Sequence, residues 1–349
     1  MSDLLIELVR RTSLSGQEAP AVRYLVAWMA AHGFDAIVDE AGSACGVRGS
    51  QDAPHTLMLL GHIDTVPGEI PVRVEDGVLY GRGSVDAKGP LCAFTEAAAS
   101  AAIPDGWRVV VVGAVEEESA TSKGARTVRD CFTPDACIIG EPSGVEHVTL
   151  GYKGRLLVDF TLRRPVAHTS RPEPTVGALG AAFWSQVAAW CEAQNKGAER
   201  AFDQVLPSLR SINTESDGFH DTVRLTVGFR LPPRLSPEAV RSAIAPFAPA
   251  DAELRTYGPE QAYQGDKNNA LVRALLAAIR TQGSRPGFVL KGGTSDMNVV
   301  GPAWNCPIVA YGPGDSALDH TPDEHISLAE YAQGVATLRH VIEHLPAGM

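Results

Sequence analysis

Four short clusters in the first half of the chain carry side chains able to do chemistry. His62-Ile63-Asp64 follows the apolar run Thr56–Leu60 and Gly61, and Glu116-Glu117-Glu118 follows a valine-rich run that begins at Arg108. Glu141 follows Ile138-Ile139-Gly140, and Asp86 precedes an alanine-rich segment, Ala87–Ala102. Three adjacent carboxylates at the end of a buried strand repel one another and resist desolvation. Divalent cations reverse that penalty, and carboxylates with neutral imidazoles are suitable donors for them. Taken singly, each cluster has a plainer reading. Acidic residues favour helix starts, a lone histidine is commonly structural, and an aspartate can cap the next helix. Taken together, with Gly61, Gly81, Gly83, Gly89 and Gly140 keeping the backbone tight nearby, they point to one site.

The elements that would position these side chains can be read from periodicity. Thr56–Leu60, Arg108–Val115 and Ala136–Ile139 are short, continuous apolar runs and predict buried strands of an α/β sheet. Ligands bind at the carboxyl ends of such strands, where the clusters lie. Ser15 and Glu18 have the spacing of a capping box, followed by Val22, Leu25, Val26 and Met29 at helical spacing and by Gly33 as a stop. The texture changes after Gly154. Leu156–Leu162 and Val223–Leu231 alternate as half-buried strands, Pro174–Cys191 is helical, and Ser236-Pro237 opens another helix with Ser236 as cap. The α/β texture returns with a helix over Asn268–Ile279 and a strand over Pro307–Tyr311. The expected organisation is therefore a split α/β domain, 1–153 and 259–349, with a small α+β insert at 154–258. Pro232-Pro233 reads as a turn.

Charge and composition narrow the function class. The formal net charge of the 349 residues is −11, which argues against a general binder of nucleic acid or membrane surfaces. Asp3 and Glu7 stand where a secretory signal would carry positive charge and then an unbroken apolar stretch. No apolar run reaches the length of a membrane span. The six cysteines form no C-x-x-C pair and are expected to be reduced thiols of a cytoplasmic protein.

Five segments then carry a resemblance over nearly the whole chain: Gly61–Pro67, Gly81–Gly89, Glu116–Glu118, Gly140–Ser143 and His320–Glu324. In sequence and order they resemble the motif series of the dizinc aminoacylase / acetylornithine deacetylase / succinyl-diaminopimelate desuccinylase family. The resemblance implies a mixed-sheet α/β catalytic domain holding two zinc ions, with cobalt as a substitute, and an inserted ferredoxin-like lid that also forms a homodimer contact. It implies that His62 and Glu141 bind one ion, Glu118 and His320 the other, and that Asp86 bridges both. Asp64 would accept the second ring proton of His62, and Glu117 would be the general base. The shifted register, base Glu116 and ligand Glu117, is the alternative, and His325 is the rival of His320. His168 resembles the lid histidine that stabilises the oxyanion in a partner subunit, and Asn213 a second oxyanion contact. Arg230 resembles the arginine of the family's Asp-x-Arg segment, although Gly228 stands where the aspartate would be. Thr294 and Ser295 lie in a segment that resembles the glycine-rich substrate loop; Met297-Asn298 replaces the Gly-Arg common in related deacylases.

Within the family, the motif combination is most similar to hydrolases that release lysine, and sometimes ornithine, from the terminal glutamate of a small acidic amino-group carrier protein. An acidic carrier requires a locally basic rim on so acidic a chain. Lys123, Arg126, Lys153, Arg155, Arg163, Arg164 and Arg171 are the candidates. The other readings are a small-molecule deacylase acting on acetylornithine or a similar N-acyl amino acid, and an inactive metal-site binding protein.

Overall fold

The structure is a computed structural model describing residues 3–168 and 170–346. The chain divides into two compact units. The larger comprises Met1–Gly151, Gly265–Leu290 and Ser295–Met349, and the smaller Tyr152–Gln264 with Lys291–Thr294.

The larger unit is built on a mixed sheet whose centre is three parallel strands. His55–His62 pairs with Trp107–Ala114 on one side and Ala136–Gly140 on the other. Every residue of Leu57–Leu60 and Val109–Val112 is wholly buried, which explains why these runs are continuously apolar rather than alternating. Each such side chain contributes roughly 1.5–3 kcal/mol by leaving water. The register sets Gly61 opposite both Gly113 and Gly140, so the three strands end at one level. Ile308–Ala310 runs parallel beside Ala136–Gly140. The flanking strands Asp35–Val38, Ala44–Gly49 and His147–Tyr152 run antiparallel to their neighbours.

Helix Lys88–Ser100 covers this sheet with Leu91, Phe94, Ala97 and Ala98, all wholly buried. Two glycines hold the loop that leads into it. Gly83 has φ +84°, a backbone state that disfavours any side chain, and a Cβ on Gly89 would stand 2.4 Å from the Ser84 carbonyl oxygen. A small sheet of Arg73–Glu75, Val78–Tyr80 and His325–Ser327 ties the 80s loop to the C-terminal segment.

The smaller unit runs strand Gly154–Pro165, helix Val176–Gln194, strands Leu206–Ser216 and His220–Leu231, helix Pro237–Ile244, strand Glu253–Glu260. This is the βαββαβ order of a ferredoxin-like unit. Its antiparallel sheet has Leu206–Ser216 at one edge and Glu253–Glu260 at the other. Leu156, Val158, Phe160 and Leu162 face the helices, with Phe160 and Phe183 stacked at 4.7 Å. Ser236 caps its helix as expected, accepting from the Ala239 amide at 3.1 Å.

Three local expectations are corrected. Helix Ala19–Ala31 has no side-chain cap from Ser15 or Glu18. The Ser15 hydroxyl donates instead to Asp64, and the Glu18 carboxylate accepts from the Gly16 and Glu116 amides. Both residues are consumed by the loops of the site rather than by the helix end. Lys153 does not belong to a basic rim: it is wholly buried, and its ammonium donates to the carbonyls of Ala201, Phe202 and Gln204. Arg163 is exposed and Arg164 half-buried, and both are paired, with Asp217 and Asp251 respectively, and so add little net positive charge. Among the described residues, no helix is long and apolar enough to cross a membrane.

Candidate metal centre

Because the three central strands end together, the residues that follow them meet at one edge. His62 closes its strand, Glu116–Glu118 follow Ala114, and Glu141 follows Gly140. The chain leaving Ile308–Ala310 brings His320 to the same place. His62 Nε2 stands 3.2 Å from Asp86 Oδ1 and 4.0 Å from Glu141 Oε1. His320 Nε2 stands 2.9 Å from Asp86 Oδ2 and 2.9 Å from Glu118 Oε1. Two groups therefore adjoin through one carboxylate: His62, Asp86 and Glu141, and Asp86, Glu118 and His320, each with donor atoms within 4.8 Å of one another. A third such group is His62, Glu117 and Glu118. His325 is in none of them; its ring lies 5.1 Å from that of Tyr80 in the small sheet.

Asp64 organises the glutamate loop. It is wholly buried, with Oδ1 accepting from the Glu117 amide at 3.1 Å and Oδ2 from the Glu118 amide at 3.0 Å and the Ser15 hydroxyl at 2.7 Å. The His62 Nδ1 is nearer the Asp64 carbonyl, 3.0 Å, than its carboxylate, 3.5 Å. The imidazole is thus oriented by Asp64 chiefly through the main chain, since the carboxylate is occupied by the loop amides. Glu116 turns away, with φ 60° and its carboxylate accepting from the Thr121 hydroxyl. Glu117 and Glu118 remain directed at the histidines.

The electrostatics are those of a site built for cations. Burial pulls the His62 imidazolium down, but its contacts with Asp64 and Asp86 and the charge of Glu117 outweigh this and hold it well above the usual range. Contacts with Asp86 and Glu118 push His320 up to about 10. Burial raises Glu117 well above an ordinary carboxyl, aided by Glu141, Asp296 and Glu118 against the opposing effect of His62. Burial likewise raises Glu118. For Asp86 burial is outweighed by His320 and His62, and its carboxyl is held below the usual range. The surrounding carboxylates thus favour protons on both imidazoles. Divalent cations bound there would displace those protons. The donor set, three carboxylates and two imidazoles in two groups sharing Asp86, fits two such ions.

The residues expected at a substrate site lie elsewhere in the chain. In the smaller unit, Arg230 donates to the Thr294 hydroxyl at 2.5 Å, which in turn donates to the Lys153 carbonyl at 3.2 Å. Asn213 is exposed on the edge strand Leu206–Ser216, and His168 is exposed with Nδ1 2.8 Å from the Ser170 hydroxyl. In the larger unit, Ser295 is buried and its hydroxyl accepts from the Met297 amide. Sequence reading did not single out Ser15, Glu18 or Glu324 as parts of the centre. The spacing of the first two suits a helix cap, and Glu324 in sequence only closes the His320–Glu324 segment.

Comparison with known proteins agrees with this architecture. The sequence profile described as peptidase family M20/M25/M40 matches residues 58–344. The chain is 47% identical over 354 residues to the LysW-lysine hydrolase of Deinococcus radiodurans, covering 99% of this chain and 97% of that one. Among solved structures, the M20 family metallo-carboxypeptidase Sso-CP2 of Sulfolobus solfataricus superimposes with a TM-score of 0.79 at 18% identity, covering 98% and 99% of the two chains. The Bacillus subtilis YXEP protein, described as a dinuclear metal-binding peptidase of the M20 family, does so with a TM-score of 0.69 at 12% identity, covering 99% and 98%.

Proposed function

The chain belongs to peptidase family M20/M25/M40 and is a metal-dependent amide hydrolase, and from that premise we propose that it releases lysine from the C-terminal γ-glutamyl group of a small acidic amino-group carrier protein. Ornithine, one methylene shorter, is the second leaving amine of the same reaction. The observation that carries the reading is the full-length similarity to a hydrolase named for a LysW-linked lysine, together with an intact set of donors. The protein would work in the cytoplasm, in lysine and arginine biosynthesis.

In this reading the ions are zinc, with cobalt as substitute. His62 and Glu141 would hold one, Glu118 and His320 the other, and Asp86 would be shared, as the two donor groups have it in common. When bound, they polarise the scissile carbonyl and make water a stronger acid. Glu117 then takes the proton of the attacking water and delivers it to the leaving nitrogen. Its position supports that role: its amide is fixed by Asp64, and burial raises its carboxyl well above the ordinary carboxylate range. Asp64 keeps the glutamate loop and His62 in register. Arg230, Thr294, Ser295 and Asn213 are the proposed substrate contacts.

We further infer that the protein is a homodimer formed through the smaller unit. Helix Val176–Gln194 carries one charged residue, Glu192, and exposes Ala178, Ala181, Ala182 and Ala189. Beside it runs the edge strand Leu206–Ser216 with Ile212 44% exposed. An uncharged helix face next to an edge strand suits pairing with a second copy by a two-fold axis. His168 would then serve the partner's metal centre as an oxyanion donor.

The deciding experiment compares carrier-linked lysine, carrier-linked ornithine and acetylornithine as substrates of the zinc- and cobalt-loaded protein, with product analysis. Lysine release from the carrier at rates well above deacetylation is expected. Equal turnover of acetylornithine without carrier would replace the proposal with a small-molecule deacylase. No hydrolysis of any substrate would make the chain a binding protein.

A further inference from the structure

Glu324 is a wholly buried carboxylate, and every polar contact the structure gives it leads to the loop that carries Asp86. Its Oε1 accepts from the Val85 amide at 2.9 Å and the Asp86 amide at 3.1 Å. Its Oε2 accepts from Arg82 Nη1 at 2.7 Å, and its carbonyl accepts from the Gly81 amide at 3.3 Å. Arg82 is itself held by Nε donating to the Gly68 carbonyl at 3.0 Å. An anion in such a place is tolerated only with charge-assisted partners, and here all of them belong to residues 81–86.

The same short segment reaches Asp86 twice. His320 stands 2.9 Å from its side-chain carboxylate, and Glu324, four residues on, receives its main-chain amide. We propose that Glu324 is a positioning residue for the metal centre: it fixes the backbone from which Asp86 directs one oxygen towards His62 and the other towards His320, with Arg82 fixing Glu324. The carboxylate is required rather than any acceptor, because one oxygen must take two amides while the other meets a guanidinium. Glutamine keeps the first duty and turns an amino group or a neutral oxygen towards Arg82. Alanine loses both. Contacts of this kind behind metal ligands commonly govern metal affinity by 10–100-fold.

The proposal rests on the reading of Asp86 as the shared ligand, so Asp86→Asn is measured alongside. The protein is stripped with chelator and titrated with Co2+, following the visible absorption of the bound ion, its stoichiometry and the melting temperature of the apo form. Expected is an order of effects: Glu324→Ala weakens Co2+ binding at least tenfold and alters the absorption bands, Glu324→Gln does so less, and Arg82→Gln resembles Glu324→Gln. With Zn2+ at saturation, kcat falls while KM holds. Wild-type Co2+ affinity and spectrum in folded Glu324→Ala would overturn the proposal. So would losses in all three variants that merely track apo melting temperature, since that is the signature of a structural role. If Asp86→Asn retains both ions, the shared-ligand reading fails first; if it loses them while Glu324→Ala does not, only the present inference fails.

Discussion

The two oxygens of Asp86 face different histidines: Oδ1 is 3.2 Å from His62 Nε2 and Oδ2 is 2.9 Å from His320 Nε2. One carboxylate thus belongs to both donor groups. Replacing Asp86 with alanine is expected to remove both metal equivalents, whereas His320→Ala removes one, because His62, Asp86 and Glu141 remain as a group. Metal content by elemental analysis after dialysis checks this. Two equivalents retained in Asp86→Ala would contradict it.

Glu117 and Glu118 are neighbours with separate expected fates. Glu117→Gln should lower kcat by about 10²–10⁴-fold with metal content unchanged, as loss of a general acid–base group does. Glu118→Gln should lose metal. Glu116→Gln should do little, since that side chain faces Thr121. Kinetics and metal analysis on the three variants settle the register; metal loss in Glu117→Gln would shift it by one.

Asp64 binds the amides of both those glutamates. Asp64→Ala is therefore expected to weaken metal binding by about 10–100-fold and to lower kcat, the range typical of contacts that orient ligands. Calorimetric zinc titration gives the affinity, and wild-type binding would refute the role assigned to this carboxylate.

Metal binding should release protons. His320 has its pKa raised to about 10 by Asp86 and Glu118, so it is expected to carry a proton at pH 8 in the metal-free protein, and, against burial, Asp64 and Asp86 shift His62 in the same direction. Both must be neutral to bind an ion. The sign follows: apparent zinc affinity rises with pH up to about 10 and falls as pH drops. Titrations at pH 8 in buffers of different ionisation enthalpy report the protons released. No dependence on buffer would mean that the imidazoles are already neutral.

If His168 acts in the partner's centre, two inactive variants should complement each other. Mixing His168→Ala with Glu117→Gln and allowing subunits to exchange would join an intact Glu117 to an intact His168. A return to about a quarter of wild-type activity is expected for random pairing in a two-fold dimer. Activity no greater than the sum of the parents would exclude action across subunits.

The sequence made the central strands legible because Leu57–Leu60 and Val109–Val112 are buried on both faces, and continuous apolar runs have few other uses. Their common end level made the donor clusters converge. Leu206–Ser216 was missed because an edge strand exposed along most of its length has no apolar period to show. Ser15 and Glu18 were misassigned because the residue types that cap a helix also tie loops together. Lys153 looked like surface charge, since nothing local announces three distant carbonyls awaiting its ammonium. Glu324 was obscure for the same reason: its partners at residues 82–86 are brought to it only by the fold.

Strand Ile308–Ala310 has a consequence for how the enzyme is made. It lies in the interior of the sheet, parallel to Ala136–Gly140 and antiparallel to His147–Tyr152, although the rest of that sheet's centre is encoded before residue 152. A nascent chain emerging from the ribosome must therefore hold a place open for it while the whole smaller unit is synthesised. Long-range pairing of this kind is slow to form and leaves unpaired strand edges exposed meanwhile. Truncation products that stop before residue 308 should consequently aggregate or be degraded, and His320 should reach the other donors only after the whole smaller unit has been synthesised.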